Sequence, residues 1–114
     1  MECPTHSPGQ PRGLALIGTT HPRDHDLSHL TIPVLKVQAE HDCVAPPEEA
    51  RRHAGRLPPA TRWVDIRGGN HAQFGSYGSQ INDCGATISR EVQQRLVTAE
   101  LVTELARAGQ PAGN

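Results

Sequence analysis

Aromatic residues are scarce in this chain: one Trp, one Tyr and one Phe among 114 residues, 3% of the total. Large rings carry much of the burial in small domains, so a core here must come from short aliphatic runs. Charge of one sign is also missing. Eleven Lys and Arg stand against twelve Asp and Glu, for a net charge of −1; no basic field points to nucleic acid or to an anionic membrane. No apolar run approaches the roughly 20 residues that cross a bilayer. The first residues, MECPTHSPGQPR (1–12), have no apolar stretch of the kind a secretory signal needs, and are expected to be a disordered leader. Cysteine is limited to Cys3, Cys43 and Cys84, with no CxxC. That is too few and too scattered for a disulfide framework, so a reduced, cytoplasmic protein is expected.

Turn residues are plentiful instead, with ten prolines and eleven glycines. At this length one small domain is the most the chain allows, and small domains bury a smaller share of their surface. Marginal stability or a missing part is therefore expected.

Along the chain, GLALIG (13–18) is a short apolar run between turn residues, read as a buried strand. TTHPRDHDLSHL (19–30) is a polar loop. IPVLKVQA (32–39) is apolar and β-branched, the strongest strand, with Pro33 tolerable only near its start. A loop and a helix follow. Pro47 suits the first turn, Glu48 and Glu49 suit the positive end of the helix dipole, and Gly55 marks the helix end. TRWVDIR (61–67) reads as a strand with Trp63 and Asp65 on one face and Val64 and Ile66 on the other. GGNHAQFGSYGSQINDCGAT (68–87) is a long loop, of a length that is usually functional or disordered. Ser89 then caps a closing helix with Glu91 in its first turn. Its expected packing face is Val92, Leu96, Ala99 and Val102, widened by Leu101 and Leu105. Gly109 and Pro111 stop it, leaving 109–114 as a disordered tail.

The order strand, strand, helix, strand, helix predicts a parallel α/β sheet spanning 13–108. Three strands are few for such a sheet, which needs both faces covered.

Two residues stand out as chemistry. Asp42 lies three positions past Ala39, and His71 four past Arg67. Ligands and catalytic groups gather beyond the carboxyl ends of parallel strands, so both side chains leave the sheet at one edge. A carboxylate there can hold an imidazole in one tautomer and offset its positive charge. Spacing leaves a plainer reading open, with Asp42 capping a turn and His71 an ordinary loop residue.

The blocks IPVLKVQAEHDCVAPPEEA, WVDIRGGNHAQFGSYG and ATISREVQQ, in this order, resemble the C-terminal part of an α/β-hydrolase. The resemblance is strongest to small single-domain hydrolases whose Gly-Gly-Asn-His-Ala-x-Phe-Gly loop carries the catalytic histidine. GLALIG resembles the strand before the acid-bearing one. The likeness runs from about Gly13 to Arg107 and spans less than half of a whole hydrolase. It implies a partial α/β-hydrolase fold, with Asp42 as triad acid and His71 as general base. It also implies that Gly68, Gly69 and Asn70 shape the histidine turn and that Phe74 packs beneath it; Tyr77 is left open. Where the family often has Gly, this chain has Ala39 and Cys43, so any need for positive φ there is in question.

The fold places its nucleophile ahead of the acid, on a Gly-x-Ser-x-Gly elbow between strand and helix. THSPG (5–9) comes nearest, centred on Ser7. No strand precedes Ser7 and no room for a helix follows it. Pro8 also lacks the N–H that would help bind an oxyanion. Cys43 and Cys84 lie on no elbow, and Ser76 and Ser79 sit among glycines. The expectation is a truncated or split chain that contributes the acid and base of a Ser-His-Asp triad to ester-type hydrolysis by acyl transfer. A small ester-like substrate would be its partner once an N-terminal half completes it. No cofactor, metal, nucleic acid or membrane is called for. Self-association through an exposed sheet edge at GLALIG is a further expectation. Two other readings compete: a non-catalytic binding or oligomerising module, and a His-rich metal-binding protein. The second rests on His21, His25 and His29, four apart; Pro22 argues against the helix that would align them.

Overall fold

A computed structural model describes residues 12–75 and 83–109. Strands β1 (Leu14–Ile17), β2 (Val34–Ala39) and β3 (Arg62–Ile66) form one sheet in the order β1-β2-β3, every pair parallel. Helix α1 (Pro47–Arg51) and a 3-10 turn, Ala54–Arg56, lie between β2 and β3. A second 3-10 turn, Ala72–Phe74, follows β3, and helix α2 (Arg90–Ala108) ends the described chain. This is the parallel α/β sheet that the element order predicts. The expected leader and tail fall outside the described residues apart from Arg12 and Gly109; Cys3, Ser7, Ser76, Tyr77 and Ser79 do so entirely.

β2 is the axis of the domain, buried at all six positions. Its β-branched and apolar residues suit a strand covered on both faces. Leu35 and Val37 join Ile66 in the core, with Ile17, Val64, Phe74, Ile88, Val97 and Leu101 packed around them. That layer lies under α2. On the opposite face Asp65 accepts from Gln38 Nε2 at 3.0 Å and pairs with Arg51 of α1 at 2.7 Å. The Arg51 guanidinium also stacks 4.9 Å from the Trp63 ring. The alternation expected of 61–67 is thus observed, and Pro47 opens α1 as expected. α1 is shorter than the sequence suggests: the helical path breaks after Arg51, short of Gly55.

The packing face of α2 differs from expectation except at Leu101, which packs against the core. Val92, Leu96, Val102 and Leu105 are exposed, Leu105 by 72%. The helix instead turns Gln93, Val97, Leu101 and Glu104 toward the sheet. Polar partners set this phase. Arg62 of β3 bonds to Glu100 at 2.6 Å and to Glu104 at 3.3 Å. Gln93 is fully buried and fully engaged by the turn after β3: its Oε1 accepts from Asn70 N–H at 3.1 Å and Gln73 Nε2 at 2.9 Å, and its Nε2 donates to Asn70 O at 2.8 Å. Leaving such groups buried without partners would outweigh the gain from an apolar stripe.

Candidate active site

The two strands β2 and β3 end side by side, with Ala39 in register with Ile66. The turns that follow are stitched to each other. Glu40 N–H donates to Ile66 O at 3.0 Å, His41 N–H to Gly69 O at 2.8 Å, and Gly68 N–H to Glu40 Oε1 at 2.9 Å. Gly68 sits at φ +80°, a conformation that side chains resist, so glycine is required there. Gly69 lies so close to Gln93 that a Cβ would stand 2.6 Å from its Oε1. Asn70 completes the turn, its Oδ1 accepting from Gln73 N–H at 3.1 Å and its Nδ2 donating to Cys84 O at 2.7 Å. No described non-glycine residue has positive φ, so Ala39 and Cys43 fit the acid turn without strain.

Asp42 is buried, with its side chain wholly out of solvent. One oxygen, Oδ1, accepts from the N–H groups of Val44 at 2.9 Å and Ala45 at 2.6 Å. These bonds hold the carboxyl group in one orientation. The other oxygen, Oδ2, lies 2.9 Å from His71 Nδ1. An ionised carboxylate only accepts, so Nδ1 carries the proton. In the neutral ring Nε2 is then the basic nitrogen, and among the described residues none bonds to it. The His71 side chain is 20% exposed. Phe74 meets it edge-on, centroids 6.5 Å apart and planes at 86°. The same Phe74 ring packs on Gly18 at the end of β1, where φ is +64° and a Cβ would come within 2.7 Å of the ring. Phe74 therefore underlies the turn, as expected.

The structure brings Asp42 and His71 together at one sheet edge, and Asp42 also caps its own turn, the plainer role that spacing left open. It also corrects one expectation. Cys43 and Cys84 are joined by a disulfide, with Cα atoms 5.4 Å apart across a sequence separation of 41. Cys43 rides on the acid turn, and Cys84 lies against it. Positions scattered along the chain are adjacent in space, and this pair is oxidised rather than reduced.

Sequence reasoning also missed Asp83. Its Oδ2 accepts from Ala72 N–H at 2.9 Å and its Oδ1 from Cys43 N–H at 3.2 Å. Burial works to raise the pKa of this carboxyl, but the N–H groups of Ala72, Cys43, Cys84 and His71 together hold it below the ordinary Asp value. One signal was available: the dipeptide Asp-Cys occurs twice, at 42–43 and 83–84. Gln93 carried no such signal, since a glutamine on a helix is normally exposed.

His21, His25 and His29 lie in the loop between β1 and β2 and form no helix. Among the described residues no group of three or more His, Cys, Asp or Glu side chains could hold a metal ion. No described helix is long and apolar enough to cross a membrane. A family model described as the alpha/beta hydrolase family matches residues 7–95. No curated protein and no solved structure matches the chain.

Proposed function

Since this chain belongs to the alpha/beta hydrolase family, we propose that it supplies the acid and base of a Ser-His-Asp triad for ester-type hydrolysis. The observation that carries this reading is the 2.9 Å bond between Asp42 Oδ2 and His71 Nδ1 at the carboxyl ends of two adjacent parallel strands. His71 Nε2 takes the proton of a serine hydroxyl as the serine attacks the ester carbonyl, and then returns it to the leaving alcohol. Water repeats the sequence on the acyl-enzyme. Asp42 keeps the ring in the Nδ1–H tautomer and offsets the charge of the imidazolium. The loop Gly68–Gly75 plays the part of the histidine loop in the small single-domain hydrolases it resembles.

The serine comes from outside these 114 residues. The strand that carries it would pair with the outer edge of β1, which among the described residues has a strand neighbour, β2, on one side alone. A small ester-like molecule is the substrate, with no cofactor or metal in the reaction. In the cytoplasm, the proposed setting, the exposed Cys43–Cys84 bridge stands within reach of cellular dithiols.

The test is hydrolysis of an activated ester by the chain alone and by the chain joined to an in-frame upstream segment bearing Gly-x-Ser-x-Gly. The chain alone should match His71→Ala. The completed protein should turn over, and Asp42→Asn should lower its kcat by about 10⁴-fold. Robust His71-dependent turnover by the chain alone would refute an external serine. Turnover of the completed protein that survives His71→Ala would refute the triad.

A further inference from the structure

We propose that Asp83 is a positioning residue for the acid–base pair, its carboxylate binding the turn that presents Asp42 to the turn that presents His71. This rests on the reading of Asp42 and His71 as acid and base. Among the N–H groups that Asp83 holds are those of Cys43 at 3.2 Å and Ala72 at 2.9 Å, the residues immediately after the acid and the base. Two carboxylates therefore span the same gap. Asp42 joins its own turn to the imidazole ring, while Asp83 joins main chain to main chain.

The two bridges control different things. The Asp42–His71 bond reports where the ring is, but a side-chain bond can be lost by a single rotamer change. Asp83 holds a main-chain N–H of each turn, one on each carboxylate oxygen, so its bridge sets the spacing of the turns themselves and with it the distance over which Asp42 must reach. Productive geometry in such sites is held to about half an ångström. A second tie runs through the next residue. Cys84 is bonded to Cys43 through sulfur, and its carbonyl accepts from Asn70 Nδ2 at 2.7 Å. Residues 83 and 84 thus engage positions 43, 70 and 72, which surround the pair on both sides. Neither Asp83 oxygen approaches the ring itself in any described contact, so its action is through placement.

The experiment uses the full chain with the disulfide intact and nitrogen-15 in the histidine rings. The His71 signals are identified by their loss in His71→Gln. In the wild-type protein, His71 should show the Nδ1–H tautomer and a slowly exchanging downfield ring proton. Asp83→Ala should cut the Nδ1–H population by about two-fold or more and broaden that proton, with the sheet amides still dispersed. Asp83→Asn keeps one acceptor oxygen and should restore part of the loss. An unchanged tautomer and a sharp ring proton in a folded Asp83→Ala protein would overturn the proposal, since a loop anchor without influence on the pair would leave both untouched. Should Asp83→Ala not fold, amide exchange in the wild-type protein decides instead. The Cys43 and Ala72 amides should exchange at least about tenfold slower than in an open chain, and free exchange at either would overturn the bridge. If the wild-type protein lacks the Nδ1–H signal, the acid–base reading itself fails, and that outcome is visible before any change at Asp83.

Discussion

Lys36 occupies the middle of the central strand with no solvent exposure, and its Nζ donates to the carbonyl of Thr19. Burial pushes its pKa down from 10.5 to about 8, with the negative charge of Asp42 acting in the opposite direction. The linkage follows directly. Between about pH 8 and 10.5 the unfolded chain binds more protons at this site than the folded one, so stability rises with pH across that window and is lost as pH falls back toward 8. Urea titrations should show a gain of about 1–2 kcal/mol between pH 8 and 10. Lys36→Met should be the more stable protein at pH 7, by about 1–3 kcal/mol, and should lose most of the rise. A Lys36→Met protein with the wild-type pH profile would show that the charge is solvated after all. Strand alternation alone puts Lys36 beside Val34 and Gln38 on one face of β2. It does not say that this face is covered. Asp42 and His71 were readable because each has a fixed offset from a strand end, and strand ends in a parallel sheet share an edge. Asp83 has no such offset, and only its hydrogen bonds place it.

The helix α2 shows where a pattern holds and where it does not. Its start was legible in detail: Ser89 Oγ accepts from Val92 N–H at 3.1 Å, as an N-cap does. Its rotation was not. Apolar residues lie on both sides of the helix, so a stripe through Val92, Leu96 and Val102 is as regular as one through Val97 and Leu101. Salt bridges from Arg62 and the amide network of Gln93 choose between them, and those partners lie 20 or more residues away. Adjacent positions give a clean check. Leu101→Ala should cost about 2 kcal/mol or more in chemical denaturation, as a core truncation does, whereas Val102→Ala should stay within about 0.5 kcal/mol. The reverse order would mean that the helix is turned toward the face the hydrophobic stripe suggests.

The molecule as a whole is a thin sheet covered unevenly, and a covalent tie offsets part of that weakness. The Cys43–Cys84 bridge closes a loop with a sequence separation of 41. Loop-closure entropy alone makes it worth about 3–4 kcal/mol. Reduction by a dithiol, which passes two electrons and two protons to give two thiols, should lower the melting temperature by on the order of 10–20 °C. The double variant Cys43→Ser, Cys84→Ser should melt at the lower temperature and be indifferent to reductant. A melting temperature that does not move in either case would place the bridge outside the stability of the fold.

Local order in the chain settled the architecture. Short apolar runs separated by turn residues made the strands, the crossover between the last two set them parallel, and their ends carried Asp42 and His71 to one rim. These are consequences of backbone periodicity and of the handedness and length of connections, which a few neighbouring residues suffice to encode. Folding in three dimensions settled the rest: the joining of Cys43 to Cys84, the grip of Asp83 on both turns, the burial of Lys36 and Gln93, and the face of α2 that packs. Each depends on groups far apart along the chain meeting in a water-poor interior, where the demand that buried polar atoms find partners outweighs local preference. No window of adjacent residues contains both members of such a pair.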